Sequence, residues 1–265
     1  MKSKAVSRRM PGKKKALIDL RCGLPGGGPV ILGDRDEGLG QRTEGQKNRK
    51  AGRGLIEEIW MLLRTRGDFF GELLLEHIRL SLVSIGIAMV LGLLIGVLIG
   101  EFRRSAKPVM GLVNLIYTIP SISLLGFLIP FSGIGDTTAM IALTVYALLP
   151  MVRNSYTGLT TINPLLIEAA TGMGSTRFQV LIKIKLPLAM PMILTGIRSM
   201  AVMTIALGGI ASFIGAGGLG VAIYRGITTN NKAMTVTGSL MIALLALAVD
   251  GLIGGIEKRR RKTAA

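Results

Sequence analysis

Five long runs without a charged side chain dominate this sequence: Leu80–Gly100 (21 residues), Pro108–Gly135 (28), Thr137–Val152 (16), Ser199–Tyr224 (26) and Ala233–Val249 (17). A bilayer hydrocarbon core about 30 Å thick is crossed by roughly 20 helical residues. One such run fits the core of a soluble domain, but five do not. The runs are continuous rather than alternating, which excludes a transmembrane barrel. The chain therefore reads as an all-α polytopic membrane protein with about five transmembrane helices.

Glycine is abundant, at 36 of 265 residues. In water each would weaken a helix by about 1 kcal/mol, whereas between membrane helices small residues permit close approach. Gly92, Gly96 and Gly100 form two overlapping GxxxG steps. They are read as a packing seam inside one subunit, with a dimer face as the alternative.

The single cysteine, Cys22, excludes an intrachain disulfide, and one histidine, His77, leaves too few ligands for the usual zinc site. His77 reads as an interfacial residue before the first span. There is no Ser/His/Asp constellation and no phosphate-binding loop, so the chain is expected to be no enzyme and to hold no cofactor. The net charge is +17. Of this, +9 sits in residues 1–54, and the rest is spread over loops. That distribution suits a membrane protein with basic loops, not a nucleic-acid binder.

Along the chain, residues 1–54 read as a basic disordered extension and residues 55–72 as an amphipathic interfacial helix carrying Trp60. Residues 73–257 form the transmembrane part, and residues 258–265 form a basic tail. The first span is expected from His77 to Gly100, and the second is expected to kink or break at Pro120. The third should end near Arg153. The fourth should run from Pro187 to about Phe213, and the fifth from Ala233 to Ile256. Alternating sides puts 12 Lys and Arg (residues 101–107, 153–185 and 257–262) against 5 on the other face. The side with 12 is therefore read as cytoplasmic, with the C-terminus inside and the N-terminus outside. An outside N-terminus puts the basic extension on the wrong side for the charge rule. The reading favoured is a start assigned too early, with the true start near Leu55 or Met61.

Between the third and fourth spans lies a mixed segment, residues 161–187. Asn163-Pro164 can open a helix, Asn163 capping and Pro at its first position. Gly172 and Gly174 should end that helix. Ser175 is expected to cap a second one, with Phe178, Leu181 and Ile182 on its apolar face. The product is two short helices with a joint, read either as a peg for a partner's groove or as a generic interfacial loop.

The spacing Glu168-Ala169-Ala170, then Gly174, then Ile184-x-Leu186-Pro187, resembles the EAA signature of permease subunits in bacterial ABC importers. Tyr117–Pro130, Ala147–Gly158 and Ile214–Gly220 resemble the osmoprotectant branch of that family. The resemblance implies the type I importer permease architecture, with this loop as the coupling helix. It implies as partners cytoplasmic ATPase subunits that bind the ATP, a second permease copy or a paralogous permease, and an extracytoplasmic substrate-binding protein. The whole would sit in the lipid bilayer of a bacterial cell membrane. Such a chain is the translocation subunit for glycine betaine, choline or carnitine. Alternatives are a permease for an amino acid or sulfonate, or a secondary transporter. Family members begin near the amphipathic helix, which agrees with the later start.

Further candidates for a gate or pathway are Pro120, Arg153, Arg198, Gly217, Gly218 and Asp250. A charge inside a span is costly and marks function or pairing. Asp250 is expected to pair with the basic tail or with Arg198, or to serve passage. Arg153 and Arg198 are expected to brace the cytoplasmic gate or the loop. Gly215-x-Gly217-x-x-Gly220 follows an apolar helix, not a strand, so the dinucleotide reading is rejected.

Overall fold

The computed structural model of the protein describes residues 54–263, which are helical almost throughout. Residues 54–65 form α1. The chain bends at Arg66 and continues as α2 (Gly67–Glu101), α3 (Arg103–Thr118), α4 (Ser121–Ser132), α5 (Asp136–Thr160) and α6 (Pro164–Gly172). Then come α7 (Arg177–Val180), a π turn (Leu181–Lys185), α8 (Leu186–Ala211), a 3-10 turn (Ser212–Ile214), α9 (Gly220–Thr228) and α10 (Lys232–Thr263). The readings made for the N-terminal extension and its start site lie outside the described residues.

Among the described residues, α2, the continuous α7–α8 helix and α10 are each long and apolar enough to cross a membrane. The pair α3 and α4 passes the same test together, bent by 99°. The remaining expected segment, α5, has 25 residues, about 37 Å at 1.5 Å per residue. It is less apolar because it is the middle of the bundle and buries Thr138, Tyr146 and Ser155 against its neighbours. A helix wrapped by protein does not need the apolar surface that lipid demands. In contrast α10 is peripheral, with 6% of its most apolar stretch buried and Leu244, Leu247 and Leu252 exposed.

Small residues set the packing. Gly92, Gly96 and Gly100 of α2 face Met151, Ser155 and Leu159 of α5. Both sets step by four in the same direction, so the two helices are parallel. On the far side of α5, Gly158 faces Ala189 and Met192, and Asn154 faces Gly196, so α5 and α8 are antiparallel. Gly209 faces Ile242 and Arg198 bonds Asp250, so α8 and α10 are antiparallel too. The central cluster is Ala88, Ala147, Met151, Leu159, Ala189, Ile193 and Met200. The glycine seam is thus internal, as the first of the two readings has it. One end of the bundle collects Glu101, residues 161–185 and the end of α10. The other collects the start of α2, the α4–α5 turn and the loop between α8 and α9.

Several boundaries differ from the sequence reading. The break after the amphipathic helix falls at Arg66, and residues 67–72 belong to the spanning helix. They do so because Phe70 and Leu73 pack into a cluster with Ile205, Leu219, Ala222, Met234 and Ile242. His77 does not precede the spanning helix but lies within it, 1% exposed, and its Nε2 donates to the Ile205 carbonyl at 3.1 Å. The third segment runs past Arg153 to Thr160. The fourth does not begin at Pro187, because helix is continuous from Arg177. The Leu186 N–H donates to Leu181, five residues back. That widened turn just before Pro187 accommodates a ring that has no N–H and would crowd an α-helical turn.

Candidate functional site

The loop between α5 and α8 is built by local chemistry. Asn163 caps α6, its Oδ1 accepting from the Leu165 N–H at 3.0 Å, and Pro164 takes the first helical position. At the other end, the Ser175 N–H donates to the Ala170 carbonyl at 3.1 Å and the Gly174 N–H to Thr171 at 2.9 Å. That is a Schellman close, and it places Gly174 at φ +84°, where an L side chain is strained. The second helix is capped by Thr176, not Ser175: Gln179 N–H donates to Thr176 Oγ1, and Thr176 N–H donates to Gln179 Oε1. Thr176-x-x-Gln179 is a capping-box pattern present in the sequence itself.

Two halves of the signature divide their roles. Of Glu168, Ala169 and Ala170, the first two are exposed and Ala170 is buried. Leu165 is 67% exposed and Met173 is 81% exposed, so α6 presents an apolar face that this chain leaves open. Ile184 lies in the π turn, and Leu186 and Pro187 open α8. Leu181 and Leu186 pack on the central cluster that contains Leu159, the residue just before the loop. The second half of the motif therefore roots the loop while the first half is displayed.

The remaining candidates fall in separate places. Pro120 sits between α3 and α4, and Ile119 before it is extended, as a residue preceding proline prefers. The Tyr146 hydroxyl donates to the Ile119 carbonyl and ties that break to α5. Arg153 Nη2 donates to Asn114 Oδ1 at 2.5 Å, joining α5 to α3. The two line a cavity of about 160 Å³ with Tyr117, Pro150, Asn154 and Ser199. Arg198 grips Asp250 with a two-pronged contact, Nε to Oδ1 at 2.5 Å and Nη2 to Oδ2 at 2.6 Å. Glu257 joins them, 3.7 Å from Arg198 Nη1 and accepting from Thr195 Oγ1 at 3.2 Å. Asp250 therefore pairs with Arg198, one of the two partners the sequence offered, and a flat guanidinium suits that geometry.

Gly217 and Gly218 lie at the opposite end. The Gly217 N–H donates to Asp136 Oδ1 and the Gly218 N–H to Glu76 Oε2, each at 3.0 Å. Gly218 has φ +93°, and a Cβ there would stand 3.0 Å from His77 Nδ1 and 3.1 Å from its Cα. Two consecutive amides are thus held by the chain's own carboxylates from two other segments. Glu76, Asp136, Asn114 and Lys185 did not stand out in the sequence, since each acts through a partner distant along the chain.

A helical bundle of apolar spans, one of them broken, that displays a short two-helix loop is the architecture of a multi-pass membrane protein. Residues 88–262 match the family described as binding-protein-dependent transport system inner membrane component, and the chain belongs to that family. The chain is 42% identical over 207 residues to the Osmoprotectant import permease protein OsmW of Salmonella typhimurium (strain LT2), covering 76% of this chain and 96% of that one. It is 33% identical over 207 residues to the Glycine betaine/carnitine/choline transport system permease protein OpuCB of Bacillus subtilis (strain 168), covering 77% and 94%. Among solved structures it resembles an inward-facing MetNI methionine ABC transporter, with TM-score 0.67 and 26% identity over 72% of this chain and 95% of that one.

Proposed function

We propose that this chain is the translocation subunit of an ATP-driven importer for a small compatible solute such as glycine betaine, choline or carnitine. The observation that carries the reading is α6, an exposed apolar helix closed at both ends by caps and rooted in the bundle core through Leu159, Leu181 and Leu186. It has the form of a rigid peg for a groove in a partner. The partner is a cytoplasmic ATPase, which binds and hydrolyses the ATP. A second permease, identical or paralogous, completes the pathway, and a binding protein delivers solute at the far end. The basic loops support the orientation. Residues 101–107, 153–185 and 257–262 carry 12 Lys and Arg, and the helix directions bring these three segments to one end, which the charge rule makes cytoplasmic. The solutes for which the two relatives are named support the solute class.

A photoreactive side chain at Met173, 81% exposed, tests the docking. It should cross-link to the ATPase in the purified complex, and one at Phe131 on α4 should not. Cross-linking from Phe131 alone would overturn the orientation. The likeness to a methionine transporter favours a second reading, the same machine for an amino acid, which solute binding to the receptor would separate.

A further inference from the structure

The base of the displayed loop carries an ion pair outside the family signature. Lys185 Nζ donates to Glu101 Oε2 at 2.7 Å, across 84 positions of sequence, with the side chains 16% and 30% exposed. Lys185 is the last residue of the π turn, and Glu101 is the last residue of α2. The neighbouring contacts converge on the same point. Gly100, just before Glu101, faces Leu159 so closely that an added Cβ would be 3.0 Å from its Cδ1. Leu159 in turn shares a cluster with Leu181, the first residue of the turn, and Leu186, the residue after it. Both roots of the loop, residue 159 and residues 181–186, are therefore fastened to the end of one spanning helix.

The mechanical consequence follows from the turn. A π turn interrupts the regular ladder of a helix and is a recurrent place for a functional adjustment. A displacement of α6 that reached an unbraced π turn would be taken up there by local bending. With Lys185 held to Glu101, the displacement passes into α2 and along the Gly92–Gly96–Gly100 seam to α5. We propose that Lys185 and Glu101 are positioning residues that transmit motion of α6 into the spanning helices, and so set how much solute moves per ATP hydrolysed. This inference rests on the reading of α6 as the ATPase contact.

The test uses the whole complex, permease with its ATPase and receptor, in liposomes, with labelled glycine betaine uptake and ATP hydrolysis measured in the same vesicles. Lys185→Ala and Glu101→Ala should each lower uptake per ATP hydrolysed by about fivefold or more. The swap Lys185→Glu with Glu101→Lys should restore most of that ratio, since it rebuilds the pair with the charges exchanged. A merely structural pair would reduce uptake and hydrolysis together through lost assembly and leave the ratio unchanged. An unchanged ratio in both single variants overturns the proposal, and so does a swap that stays as low as they do. Gly174→Asp in the α6 close separates the two layers of the argument. If it uncouples the complex while Lys185→Ala does not, the brace fails and the docking reading stands. If neither uncouples a transporting complex, the docking reading fails as well.

Discussion

Substituting Gly96 by alanine adds one methyl group at the tightest point of the α2–α5 seam. The new Cβ would lie 2.5 Å from Ser155 Cβ and 3.1 Å from the Val152 carbonyl oxygen. Carbon atoms meet comfortably at about 3.5–4.0 Å, so the helices must separate by about 1 Å. The contacts at Gly92 and Gly100 loosen with it. Overpacking of this kind costs about 1–3 kcal/mol. Alanine also favours helix over glycine, by up to about 1 kcal/mol in water, which would mask part of the effect. Gly86→Ala supplies the correction, since it lies in the same helix with nothing within 4 Å of the added atom. Equilibrium unfolding of the purified chain in mixed mild and denaturing detergent measures both variants. Gly96→Ala should be less stable than Gly86→Ala by about 1–3 kcal/mol, or roughly 5- to 150-fold in the equilibrium constant. Equal stabilities would refute the reasoning that this seam sets the helix spacing.

Other expectations follow from the same contacts. Thr176→Ala removes the capping box and should destabilise the second loop helix by about 1 kcal/mol, read as faster amide exchange over residues 177–180 with the bundle unchanged. Arg198→Ala takes the guanidinium from Asp250, and Asp250→Ala leaves Arg198 only its longer contact to Glu257, so each should lower membrane yield, and the double variant should recover part of it. Gly218→Ala combines a strained φ with a clash on His77 and should abolish uptake while α6 still cross-links to the ATPase. Tyr146→Phe frees the Ile119 carbonyl at the α3–α4 break and should broaden the distance distribution between spin labels on those two helices.

Features written in short-range chemistry were legible in the sequence. Charge-free runs marked the spanning segments, Pro120 marked the broken one, and Asn163-Pro164 marked the start of α6, because each acts within a turn or two of itself. Gly174 was read as a helix end, and the Schellman close gives the reason. The continuation of helix through Pro187 was not legible, because a π turn leaves no residue pattern and proline usually signals a start. The burial of His77 was hidden as well, since its acceptor, Ile205, lies 128 positions away. The same holds for Lys185 with Glu101, and for the two carboxylates that hold Gly217 and Gly218. Asp250 was flagged as an intramembrane charge by its cost, yet only the packing of α8 on α10 chose Arg198 over the tail. Thr176 is a different kind of miss: its pattern with Gln179 was present, and the adjacent serine drew the cap instead.

The measurement that bears most directly on the central claim is uptake of labelled glycine betaine by liposomes holding this chain, its ATPase and its receptor, with and without ATP inside. Gly174→Asp is compared alongside, because it forces a charged L residue into a left-handed backbone position at the end of α6. The account predicts uptake that requires ATP and the receptor and is lost in Gly174→Asp while the complex stays assembled. Uptake that proceeds without ATP, or that is indifferent to Gly174→Asp, would contradict it.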